Sequence, residues 1–223
     1  MSEHAGHHHH HAPLRDEDPT AFWEGRYAEQ DGVWSGRANQ ALVDEVGDLP
    51  PGAALDLGCG EGGDALWLAE RGWMVTALDI STTALDRTVR AASAAGLAER
   101  VTCLVADLAD PATWPGATSY DLVTACFLQS PLDFPRAEVL RHAAALVGPG
   151  GRLLVVAHAA PPPWADVPDD LVDGFPTPQG ELADLALDEA WDVEVAEVRE
   201  REATGPDGQR AVLLDSVVRV ARR

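Results

Sequence analysis

The residues of this chain best placed to do chemistry are a glycine loop and the carboxylates around it. "LDLGCGEGGD", Leu55 to Asp64, puts Gly58, Gly60 and Gly62 after a short apolar run. Read from Gly58 it matches G-x-G-x-x-G, a loop whose backbone can approach a nucleotide while helix N–H groups point at it. Asp79 follows Gly60 by 19 residues and ends the next apolar run, where a carboxylate accepts both hydroxyls of a ribose. Those features suit NAD and S-adenosylmethionine equally. Asp56 separates them: the two negative charges of a pyrophosphate on this loop would meet a third, costing ~1–4 kcal/mol at the effective dielectric of a protein surface. S-adenosylmethionine presents a sulfonium and an ammonium instead, so Asp56 favours that ligand. Asp107, in "LVADLAD", adds a carboxylate after a third apolar run, able to accept a hydrogen bond from an adenine amine.

Such side chains need rigid elements to aim them. Ala53–Leu57 reads as a strand, Asp64–Arg71 as a helix stopped by Gly72, and Val75–Ile80 as a second strand. Ser81 caps a helix running to Ala95, and Val101–Ala106 and Asp121–Phe127 read as strands. A helix around Arg136–Val147 and a "GPGG" turn lead to Arg152–Ala157, apolar enough to be buried on both faces. Upstream, Asp18 and Pro19 look like the cap and first residue of a helix through "TAFWEGRYAE", followed by the loop "QDGVWSGR" and a helix over Asn39–Val46. Strands alternating with helices predict a doubly wound, mostly parallel α/β sheet. After the loop "APPPWADVPDD" and a weak helix near Glu181–Leu187, the rhythm breaks. Val193–Glu202 and Arg210–Val220 flank "ATGPDGQ", which predicts a terminal hairpin with one strand antiparallel, seven strands in all.

The chain has 223 residues and a formal charge of -21, with its acidic residues spread throughout. Such a surface repels nucleic acid and anionic lipid, both of which bind through clustered Lys and Arg. No apolar run approaches the ~18 residues of a membrane span, and no signal peptide is evident. A cytoplasmic protein, monomeric or homodimeric, is expected, with one domain over residues 19–223 whose first part, 19–48, forms a helical cap. Residues 1–18 carry six of the eight histidines and read as a disordered tag or a natural metal-binding tail. Cys59, Cys103 and Cys126 are widely spaced and read as reduced, mostly buried thiols; no metal-ligand spacing occurs outside the tail.

"ALDLGCGEG", "VTALDIS", "LVADL", "YDLVTACF" and "GPGGRLLVV" together resemble the successive motifs of the class I S-adenosylmethionine-dependent methyltransferases. The resemblance runs from about Ala53 to Arg223. It implies Gly58, Cys59 and Gly60 along the methionine part of the cofactor, Asp79 on the ribose and Asp107 on the adenine. With their flanks, the expected cofactor set also includes Asp56, Ile80, Ala106, Leu108, Cys126 and Arg37. The C-terminal part is similar to the tellurite-resistance methyltransferases. The N-terminal "FWEGRYAEQDGVWSGRANQALV" resembles the cap of the thiol, thiopurine and halide methyltransferases. Both imply a small, soft acceptor.

Methyl transfer is an in-line displacement, so the enzyme must align the reactants and exclude water. A thiolate, selenolate or reduced tellurium species needs little base help; a hydroxyl or amine usually needs a positioned base. His158, ending the fifth strand, is the candidate base, whereas His142, within a helix, is expected to face solvent. Gln129 in "CFLQSP" takes no proton and is expected to orient the acceptor. Trp23, Tyr27, Trp34 and Phe127 are expected to wall the substrate pocket; if the N-terminal segment closes over the cofactor as the resemblance implies, Trp23, Tyr27 and Trp34 would also meet the sulfonium by cation–π attraction. Glu61 and Asp64 have no role at this level.

Overall fold

The computed structural model describes residues 17–30, 32–116, 119–165, 174–205 and 207–223. The His-rich segment therefore lies outside the described residues, apart from Glu17 and Asp18. Helix α1 (Pro19–Glu29) starts where Asp18 accepts a hydrogen bond from the Ala21 N–H at 2.8 Å, with Pro19 in the first turn. Helix α2 (Gln40–Val46) has seven residues, too few to persist alone; Leu42 and Val46 bury completely against the sheet and hold it there. The alternating core follows as β1 (Ala53–Leu57), α3 (Gly63–Glu70), β2 (Met74–Asp79), α4 (Thr82–Ala94), β3 (Val101–Val105), β4 (Tyr120–Cys126), α5 (Arg136–Ala145) and β5 (Val147–His158). Helix α6 (Pro178–Leu185) and the strands β6 (Trp191–Thr204) and β7 (Arg210–Arg222) complete the chain.

The seven strands form one sheet in the order β3-β2-β1-β4-β5-β7-β6. Strands β1 to β5 pair in parallel, while β7 runs antiparallel to β5 and to β6. One face is covered by α5 and α6, with Leu140 and Leu185 packed on Leu55, Val123, Leu153 and Val218. The other carries α2 and α3, with Leu42 and Leu68 on Ala54, Val75, Leu122 and Val217. Strand order reverses between β1 and β4, which opens a crevice beyond their carboxyl ends.

Four details depart from the sequence reading. The fifth strand begins at Val147, not Arg152: "GPGG" bulges out between two rungs of the β4–β5 ladder, Tyr120 with Val147 and Leu122 with Arg152. The last helix begins at Pro178, where Thr177 caps the Gly180 N–H, and stops at Leu185 because Ala186 takes a left-handed φ of 47°. His142 does not simply face solvent: it is half-buried, its ring edge-on to Trp114 at 4.7 Å. The three cysteines are unpaired and only half-buried.

Candidate functional site

A cavity of about 700 Å3 opens in that crevice. Its closed end is built from the strand-end carboxylates. Asp79 accepts the Gly60 N–H at 2.8 Å and the Ser81 N–H at 2.9 Å, which locks the glycine loop to the end of β2. Burial raises its pKa, with the N–H groups of Ser81, Gly60 and Ile80 opposing. Gly60 needs its positive φ of 54°, and a side chain there would strike the Tyr27 hydroxyl at 3.0 Å. At Gly62 the constraint is packing: a Cβ would fall 2.5 Å from the Thr88 methyl and push α4 away.

Asp56 is only 2% exposed. One oxygen accepts the Thr124 hydroxyl at 2.7 Å; the other is buried with no hydrogen-bond partner among the described residues. Burial, then the negative charge of neighbouring Asp64, raises its pKa, and Thr124 only partly offsets them. A buried carboxylate with an open lone pair is costly in isolation and suits a cationic group of a ligand. The residues at this end therefore fit S-adenosylmethionine: Asp56 toward its cationic amino-acid part, the loop of Gly58 and Gly60 along it, Asp79 toward the ribose. Asp107 lines the cavity while its side chain also closes a turn through the Ala109 N–H at 2.9 Å.

The segment before β1 is pinned over this end by carboxylates. Glu24 of α1 accepts the Thr82 N–H and hydroxyl, each at 2.5 Å, and so caps α4. Burial works against ionisation of Glu24, but the hydrogen bonds from Thr82 and Thr83 outweigh it and hold its pKa at about 2. Glu61 accepts the Trp34 N–H at 2.9 Å and pairs with Arg87 at 2.6 Å; Arg87 also donates to the Tyr27 carbonyl at 2.7 Å. Asp64 accepts both the backbone and the side-chain N–H groups of Asn39 at 2.7 Å. Buried Tyr27 accepts the Trp34 indole N–H at 3.0 Å, while Trp34 itself stays half exposed at the cavity mouth. Glu61 and Asp64, unassigned from sequence, thus tie the segment before β1 to the glycine loop and α3.

The rest of the lining is richer in apolar side chains, with Phe127, Leu132, Phe134, Trp164 and Leu213, while Leu128 reaches Gly58 of the loop. Phe127 follows β4 with a left-handed φ of 54°, a conformation that is strained for an aromatic residue and that concentrates at functional sites. Its ring lies 4.5 Å from the His158 ring and 5.4 Å from the Arg201 guanidinium. His158 Nδ1 is 3.3 Å from Asp215, and Arg201 binds the same carboxylate at 2.6 Å. Although burial opposes it, these partners hold the Asp215 pKa below the usual carboxylate range.

Of the residues singled out in sequence, Asp56, Gly58, Cys59, Gly60, Asp79, Ile80, Asp107, Leu108, Cys126, Arg37, Trp23, Tyr27, Trp34, Phe127, Gln129 and His158 all line this cavity. Ala106 does not. It is buried in the core behind Asp107, its N–H bonded to the Asp79 carbonyl at 2.9 Å. Gln129 also departs from expectation: its amide clamps the His158 backbone, accepting the N–H at 2.8 Å and donating to the carbonyl at 3.4 Å, so it fixes the end of β5. Asp215 and Arg201 were missed, because an antiparallel pairing far along the chain brings them to His158. Among the described residues no group of three or more His, Cys, Asp or Glu side chains is placed to hold a metal ion.

Known proteins agree with this geometry. Residues 54–151 match the model of a methyltransferase domain. The chain is 32% identical over 69% of its length to a ribosomal RNA small subunit methyltransferase C of Chromohalobacter salexigens, covering 43% of that protein. It is also 32% identical to a probable thiol methyltransferase of Arabidopsis thaliana, over 49% of each chain. It therefore spans about half the length, or less, of these curated relatives. Among solved structures, TehB from Haemophilus influenzae aligns with a TM-score of 0.66 at 19% identity, over 83% of this chain and 62% of that one. The N-methyltransferase NodS from Bradyrhizobium japonicum, solved with S-adenosylhomocysteine, aligns with a TM-score of 0.66 at 16% identity, over 92% of this chain and 99% of that one. Residues 54–151 thus hold a methyltransferase domain, and the seven-stranded sheet with its glycine loop and carboxylates fits S-adenosyl-L-methionine as the cofactor.

Proposed function

We propose that the protein transfers a methyl group from S-adenosylmethionine to a small-molecule acceptor, and that the acceptor is a thiol or a related selenium or tellurium nucleophile. The observation that carries this reading is the two-ended cavity: an unpaired, buried Asp56 oxygen at one end, an apolar chamber holding His158 at the other. When bound, the cofactor supplies an electrophilic methyl group on a sulfonium. The chain's own part is to hold that group with the loop and carboxylates, to exclude water with the cap over residues 19–48, and to admit an acceptor from the apolar side. We read residues 19–223 as one functional unit.

A thiol asks less of a base than a phenol does, its reference ionisation being about 8.5 against about 10. Likeness to a thiol methyltransferase supports the same class. An NAD-dependent oxidoreductase would bring a dianion, and no cation, to the buried Asp56. An RNA acceptor, suggested by the ribosomal RNA relative, would have to approach a chain of formal charge -21.

Incubation with S-adenosylmethionine and a panel of thiols, selenite, tellurite, halides, phenols and a short RNA, scored as S-adenosylhomocysteine formed, tests the reading. Thiols or the chalcogen oxyanions under reducing conditions are expected to turn over first. Product formation with RNA alone would overturn it.

A further inference from the structure

We infer that Asp215 is a positioning residue that holds His158 as the proton acceptor of the transfer, with Arg201 fixing Asp215 in turn. This rests on the reading of the cavity as a methyl-acceptor site, but not on the acceptor being a thiol.

The fold builds this arrangement in three steps. His158 ends β5 and stands directly opposite Asp215 in the antiparallel β5–β7 register, so both side chains leave the same face of the sheet. Asp215 is 2% exposed, and its carboxylate is met by Arg201 Nε at 2.6 Å and Nη2 at 3.4 Å, and by His158 Nδ1 at 3.3 Å. Arg201 lies one strand further on, in β6, where Leu213 is its cross-strand neighbour. Gln129 then grips the His158 backbone on both its N–H and its carbonyl, and the Phe127 ring packs on the imidazole.

A histidine that merely capped a strand would need none of these partners. With Nδ1 turned to a buried carboxylate, the neutral ring carries its proton on Nδ1 and presents Nε2 as the basic nitrogen. His158 keeps a third of its side chain exposed and lines the cavity. Of the other charged groups lining the cavity, Asp133 sits on the β4–α5 loop, and Asp56, Asp64, Asp79, Asp107, Glu61 and Arg37 stand at the cofactor end.

The step balances simply. The acceptor's X–H bond breaks and its proton passes to Nε2 of His158. The lone pair left on X forms a bond to the methyl carbon as the methyl–sulfonium bond breaks, and that electron pair stays on sulfur as a neutral thioether. Asp215 takes no proton; its charge offsets the imidazolium until the proton leaves for solvent.

Acceptor acidity provides the test. In Asp215→Asn, kcat for an alkanethiol at pH 7 is expected to fall about 100-fold, while kcat for a nitrothiophenol, already ionised, changes less than threefold and KM for both stays within about twofold. Asp215→Glu should restore part of the alkanethiol rate. If no thiol reacts, phenol against 4-nitrophenol makes the same comparison, so failure of the thiol reading is told apart from failure of this one. Independently of turnover, 15N spectra of the protein alone should show His158 as the Nδ1–H tautomer, shifting to a mixture in Asp215→Asn. An equal loss for acidic and weakly acidic acceptors, or no tautomer preference in the wild type, would overturn the inference.

Discussion

At the cofactor end, Asp56, Asp79 and Asp107 lie on or within two residues of β1, β2 and β3, each on a different strand of the parallel sheet. At the acceptor end, His158, Asp215 and Arg201 come from β5, β7 and β6, with His158 and Asp215 57 residues apart and joined by antiparallel pairing. The first arrangement uses local geometry: a strand ends, a glycine turn follows, and a carboxylate points into the crevice. The second exists only once the terminal hairpin has docked. Local motifs suffice for the first, whereas the second needs the whole sheet assembled.

Breaking the long-range support of the acceptor end should have the largest effect. Arg136 binds Glu181 through two nitrogens at 2.7 and 2.8 Å and also donates to the Leu128 carbonyl at 2.9 Å, tying the cavity loop to α6. Glu181 is fully buried, so Glu181→Gln leaves the Arg136 charge without its counter-ion and should cost about 3 kcal/mol. A melting temperature lowered by about 6–12 °C, read by calorimetry, is expected. Next, Asp79→Ala frees both the Gly60 and Ser81 N–H groups and removes the ribose acceptor. S-adenosylhomocysteine should bind at least ~10-fold more weakly, a loss of ~1.4 kcal/mol or more, while the melting temperature moves less than in the Glu181 variant.

A pH dependence sharpens the contrast. Asp56 holds its proton more tightly in the folded chain than in the unfolded one, where its value is near 3.8. Its contribution to stability is therefore complete below that value and is lost as the pH rises through the raised folded value. Asp56→Asn should flatten this loss and raise the melting temperature of the ligand-free protein at pH 8 by about 2–4 °C, or ~1 kcal/mol. The smallest effect belongs to the cap: Tyr27→Phe removes the Trp34 hydrogen bond, worth ~1 kcal/mol, and should weaken S-adenosylhomocysteine by no more than about fivefold in a fluorescence titration.

The same division decides what could be read in advance. Each strand was legible from apolar runs and the glycines that end its helices, and the antiparallel hairpin from "ATGPDGQ". Asp56, Gly60 and Asp79 were legible because their spacing along the chain mirrors their spacing across the sheet. Ala106 was placed one residue too generously, since alternation along a strand end turns it into the core while Asp107 faces out. Gln129 also clamps a backbone, a partner that leaves no mark on composition. Arg201 sits among the alternating charges of the edge strand β6, and Asp215 is a lone charge in an apolar stretch of β7; only the register shows that the two meet His158.

The central claim is that the two ends work separately: carboxylates for the cofactor, the His158 cluster for the acceptor. Calorimetric titration of S-adenosylhomocysteine into wild type, Asp56→Asn and His158→Ala tests it most directly. We predict affinity at least ~10-fold weaker in Asp56→Asn and within about twofold of wild type in His158→Ala. Unchanged binding in Asp56→Asn, or an equal loss in His158→Ala, would contradict it.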